Sequence, residues 1–143
     1  VTTQTAKSFF LTVLGLSSLA ASLLLGSSVK SETIRAPLTS PIIISGTTGG
    51  GQQSPCGFIS NRPSHQLIVT ESLVSLQFVL EAEGSPTLFI QNEQGRGECV
   101  MSDRLSSGSI ELPGAWEGGN YSVYVGDRNG ENHSYRLSVS QGF

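Results

Sequence analysis

A chain of 143 residues holds one ordinary domain plus an appendage, too little for a multidomain enzyme. Eight Lys and Arg against 11 Asp and Glu give a net charge of -3, which excludes a nucleic-acid binder working through a basic surface. Charged residues make up only 13% and there are 17 glycines, a balance that fits an exported all-β protein better than a cytosolic helical one.

Residues 8–29 carry no charge, with Lys7 just before them and Lys30 just after. Twelve of the 17 residues at 9–25 are Ala, Val, Leu or Phe. One Lys, an apolar stretch and then the small residues Gly26, Ser27 and Ser28 predict a secretory signal peptide over 1–28, cut after Ser28. The rival reading is a retained membrane anchor over 8–29, since the run is just long enough to span the hydrocarbon. Gly15, Ser17, Ser18 and Ser22 dilute its apolarity and favour the signal.

Residues 29–55 read as a linker. Thirteen of the 20 residues at 36–55 are Gly, Ser, Thr or Pro, too little apolar surface to bury a core. Pro41, Ile42, Ile43 and Ile44 form an apolar island within it. Proline suits the start of an edge strand, so the island is expected to add one to the domain.

Residues 56–143 read as the domain, and its signal is period two. The predicted strands are 66–70, 75–80, 87–91, 98–101, 109–112, 121–125 and 135–139. Leu76, Phe78 and Leu80 share one face; so do Tyr121, Val123 and Val125, and so do Tyr135, Leu137 and Val139. Alternation of apolar and polar residues marks antiparallel sheets packed over a shared core. Seven or eight short strands imply an all-β fold, a small antiparallel β-sandwich with Greek-key or jelly-roll connections.

Cys56 and Cys99 are the only cysteines. In an exported chain they are expected to pair, tying the start of the domain to the strand near Glu98. Two isolated cysteines without nearby His do not make a zinc site.

Catalytic motifs are missing: there is no Gly-x-Ser-x-Gly elbow, P-loop, His-Glu-x-x-His or Cys-x-x-Cys. Ser64 and His65 are adjacent, but strand neighbours point to opposite faces. Glu81 and Glu83 share a face, yet they adjoin Gly84, Ser85 and Pro86, the signature of a solvated turn. The chain is therefore read as no enzyme and as needing no cofactor. Asp127, Asn129 and Glu131 alternate like calcium ligands, but the run Gly126 to His133 lacks the acidic density of such a loop, and a polar hairpin tip is the favoured reading. Trp116 lies among Pro113, Gly114, Gly118 and Gly119. It either plugs an open end of the sandwich, the favoured reading, or stacks on a ligand. Tyr124 points outward if Val123 and Val125 point inward, and is a second surface-binding candidate.

The segments Tyr121-Ser122-Val123-Tyr124-Val125-Gly126 and Tyr135-Arg136-Leu137-Ser138-Val139 resemble the bacterial pre-peptidase C-terminal domain. Pro86-Thr87-Leu88-Phe89-Ile90 and Ser109-Ile110-Glu111-Leu112 fit it more loosely. The resemblance implies a jelly-roll-like β-sandwich linked to export or matrix binding. Ser85 and Thr87 stand where that family often has acids, so the resemblance carries no calcium site here. The layout is also similar to short stand-alone exported cyanobacterial proteins. Two functions follow as expectations. One is a non-catalytic module, secreted, periplasmic or at the cell surface, that binds an envelope glycan or protein. The other is a structural subunit whose Ile42–Ile44 strand pairs with a neighbour's sheet. Membrane attachment enters only if residues 8–29 are retained.

Overall fold

The computed structural model describes residues 31–103, 105 and 107–142. The signal or anchor segment lies outside the described residues. The described chain forms nine strands: β1 (Glu32–Ala36), β2 (Ile42–Thr47), β3 (Gln52–Ser54), β4 (Gly57–Ile59), β5 (His65–Ala82), β6 (Pro86–Asn92), β7 (Gly97–Met101), β8 (Ser109–Asp127) and β9 (Ser134–Gln141). No helix occurs among the described residues.

Two long bent strands, β5 and β8, build both layers of the sandwich. They pair antiparallel along almost their whole length, with a register shift between Val69 and Leu73. Beyond that shift the second half of β5 also pairs with β9, which pairs with β2. Before it, the first half of β5 pairs with β1 in parallel, and the second half of β8 pairs with β6, which carries β7. One layer is therefore β2–β9–β5–β8 and the other β1–β5–β8–β6–β7. The bend needs a close backbone approach. A Cβ on Gly118 would lie 2.7 Å from the Glu71 carbonyl oxygen in the bulge, so glycine is the residue that fits.

The predicted inward series fill the space between the layers. Leu76, Phe78 and Leu80 are fully buried, as are Val123, Leu137 and Val139, with Leu67, Leu88 and Ile90 from the facing layer. Each such side chain contributes about 1.5–3 kcal/mol by leaving water. This is the antiparallel β-sandwich the alternation implied.

One expectation is corrected. Composition made 29–55 a flexible linker, yet it supplies β1, β2 and β3, and Ile34, Ala36 and Ile44 are buried in the core. Glycine, serine and threonine do not preclude a strand when a neighbour offers ladder hydrogen bonds and every second residue is apolar. Thr48 is buried too: its hydroxyl donates to the Glu131 carbonyl at 3.3 Å and accepts from the His133 amide at 3.0 Å. The Ile42–Ile44 island forms the expected edge strand, paired on one side with β9.

Candidate functional site

The outer face of the second layer is the most distinctive surface of the described residues. Directly paired residues on neighbouring strands share a face. Thr33, Gln66, Ser122, Gln91 and Gly97 therefore form one row across five strands, and Tyr124, Phe89 and Cys99 the next. Tyr124 and Phe89 are half-buried, with ring centroids 5.9 Å apart and planes inclined by 27°. No ionisable acid or base stands in either row. Tyr124 is where the sequence placed it; Phe89 lies in the mostly apolar strand 87–91, where alternation gave no outward face.

A disulfide frames this face. Cys56 and Cys99 are bonded, as their count and context implied. Cys56 is buried while Cys99 is exposed on β7, which among the described residues pairs only with β6. The bridge holds the β3–β4 hairpin over the end of the face, where the Thr87 hydroxyl donates to the Cys56 carbonyl at 2.7 Å. The ladder otherwise ties this hairpin to the body through one residue pair, Phe58 with Asp127. A disulfide is the bond of an oxidising compartment, so its presence is consistent with an extracytoplasmic location.

The loop between β8 and β9 turns on Asp127, which is fully buried. Its Oδ1 accepts the amides of Asn129 (2.7 Å) and Glu131 (3.1 Å), and its Oδ2 accepts the Ser85 amide at 3.0 Å. Here the carboxylate organises two turns. Asn129 swings away, its Nδ2 donating to Ser85 Oγ at 3.4 Å, so the Asp127, Asn129 and Glu131 ligand set does not assemble. His133 stands in its place, with Nε2 3.0 Å from Glu131 Oε2 and Nδ1 4.0 Å from Glu83 Oε2. The Glu131 hydrogen bond, aided by the charges of Glu131, Asp127 and Glu83, raises the His133 pKa above 6.5. The sequence reading stopped one step short: Asp127, Asn129, Glu131 and His133 continue one alternation.

Trp116 is not an exposed stacking platform. It is buried, edge-on to Phe78 at 5.5 Å and to Tyr121 at 5.4 Å. It is the plug that the Gly-rich surroundings allowed as the favoured alternative. His65 is buried as well and bridges the two layers through a hydrogen bond between its Nε2 and the Tyr135 hydroxyl. Burial holds the imidazole below 6.5 and pushes the Tyr135 hydroxyl up to about 12. Ser64 Oγ accepts the Val125 amide, and Glu81 pairs with Arg136 at 3.3 Å. Ser64 and His65 both reach the Tyr135 hydroxyl, whereas Glu81 lies on Arg136 and Glu83 beside His133. Two surface hollows, one beside Glu81, Glu83 and Ser107 and one beside Gly51, Gln52 and Asn61, are lined by neither histidine.

No protein-family profile matches the sequence. Over 101 residues the chain is 39% identical to an uncharacterised protein of Synechococcus elongatus, a match covering 68% of this chain and 73% of that one. The chain belongs to that protein's family. This bears out the expected kinship with short cyanobacterial proteins. Among solved structures it is similar to the pre-peptidase C-terminal domain of collagenase from Bacillus anthracis, with 18% identity and a TM-score of 0.48 over 78% of this chain and 97% of that domain.

Proposed function

We propose that this family member is an exported, non-catalytic β-sandwich whose Tyr124–Phe89 face binds an uncharged glycan of the cell envelope. The observation that carries the reading is the half-exposed aromatic pair set among Gln66, Gln91 and Ser122 with no charge in the two rows. Aromatic rings cover the C–H faces of sugars, while amides and hydroxyls exchange hydrogen bonds with their hydroxyl groups. An uncharged lane avoids the cost of stripping water from an ion. Export is supported by the apolar run at 8–29 and by the Cys56–Cys99 bond. Incubation with neutral and anionic envelope polysaccharides tests it: retention on a neutral polymer is expected, and retention on anionic polymers alone, or on none, overturns it.

A second reading, a structural subunit, rests on β2. Among the described residues this strand pairs only with β9, and Ile43 on it is 55% exposed. An open apolar edge is a template for pairing with a second chain. Sedimentation at high protein concentration separates the two, since a strict monomer removes the subunit reading.

A further inference from the structure

The loop after β8 carries an arrangement that the glycan face does not use. Donor atoms of Asp127, Glu131 and His133 all lie within 4.8 Å of one another. Asp127 Oδ1 is saturated by two amides, but Oδ2 accepts only the Ser85 amide and keeps a lone pair. That oxygen and His133 Nε2 both pack closely against Gly84, where only glycine fits. A Cβ there would lie 2.6 Å from His133 Nε2 and 3.1 Å from Asp127 Oδ2. A second observation comes from the far side of the ring. The Glu83 carboxylate stands 4.0 Å from Nδ1. Nε2 itself faces Glu131 Oε2 at 3.0 Å, so an ion there would take the place of the Nε2 proton while the Glu83 charge favours keeping a proton on Nδ1.

The donor set also selects the ion. Calcium takes six to eight oxygens, and Asn129, the remaining oxygen donor of the alternation, is turned onto Ser85. One imidazole nitrogen with two carboxylates suits zinc and its first-row neighbours. We propose that Asp127, Glu131 and His133 form a three-ligand surface site for a divalent first-row transition metal, zinc foremost, with Glu83 as a positioning residue on His133. An ion there would tie the end of β8 to the β8–β9 loop, and would stabilise the fold by binding only the native arrangement.

Chelator-stripped full-length protein, titrated with zinc chloride and separately with calcium chloride by calorimetry and by thermal melting, tests the proposal. The expected result is one zinc per chain, a melting temperature that rises with zinc, and weaker or no response to calcium. His133→Ala and, independently, Glu131→Gln should each weaken zinc binding at least about tenfold, and Glu83→Gln should weaken it by a smaller factor. Circular dichroism of each variant checks that it is folded. No saturable zinc binding, zinc affinity unchanged in both folded ligand variants, or calcium bound as tightly as zinc overturns the proposal.

Discussion

Removing the disulfide should cost this domain a large share of its stability and loosen one region first. Cys56 and Cys99 are separated by 43 residues. Closing a loop of that length restricts the unfolded chain by about 4 kcal/mol on a loop-closure argument. A small domain has only about 5–15 kcal/mol in total. The structure adds where the loss should appear. Among the described residues the β3–β4 hairpin meets β8 in the ladder at one residue pair, and β7 pairs only with β6. The β5–β9 ladder, by contrast, is paired over seven residues in the middle of its layer. In the double variant Cys56→Ala/Cys99→Ala, urea unfolding should show a loss of about 3–4 kcal/mol. Hydrogen exchange should rise most at Gln52–Ser54, Gly57–Ile59 and Gly97–Met101, with the amides of β9 following only global unfolding. A loss below about 1 kcal/mol, or exchange rising equally in β9 and β7, would refute the view that the bridge clamps a weakly held hairpin.

Three further outcomes follow from named contacts. Phe78→Ala empties the centre of the sandwich beneath Trp116 and should cost about 3–5 kcal/mol by chemical denaturation, whereas Val79→Ala, one position along on the half-buried face, should cost far less. Asp127→Ala leaves the amides of Ser85, Asn129 and Glu131 without their acceptor and should cost about 3 kcal/mol or more, read as a fall in melting temperature. His65 sets a pH dependence. Its folded pKa lies below the unfolded 6.5, so the unfolded chain binds the extra proton in the window below 6.5. Its contribution is therefore complete above that pH and is lost as pH falls through the folded value. Melting scans on a folded His65→Asn variant should show a shallower decline on the acid side than the wild type; parallel declines would contradict the assignment.

The parts legible in the sequence are those governed by one local rule. Where apolar and polar residues alternate, as at 76–80, 121–125 and 135–139, the inward set is the buried set apart from the half-buried Tyr121, and Tyr124 faces out. Punctuation misled the reading of length. Glu71 and Ser72 seemed to divide two strands but are a bulge inside β5, and Pro113, Gly114, Gly118 and Gly119 seemed to form a loop but lie within β8. Proline is tolerated there because the first half of β8 is an edge that pairs only with β5. β1 was missed because its partner, β5, is parallel and lies about thirty residues on, a distance no local pattern reports. The site divides in the same way. The cysteine pair and Tyr124 follow from count and alternation. The facing of Tyr124 by Phe89, the turning of Asn129 and the arrival of His133 depend on cross-strand register and side-chain choice, which periodicity does not encode.

The most direct measurement of the central claim is affinity electrophoresis of the wild type, Tyr124→Ala and Glu111→Ala through gels containing a neutral envelope glycan. Glu111 is exposed on the opposite layer and serves as the control. The wild type and Glu111→Ala should be retarded, and Tyr124→Ala should lose about tenfold in affinity, the cost of truncating an aromatic anchor. Equal retardation of Tyr124→Ala and wild type, or no retardation of either, would contradict the account.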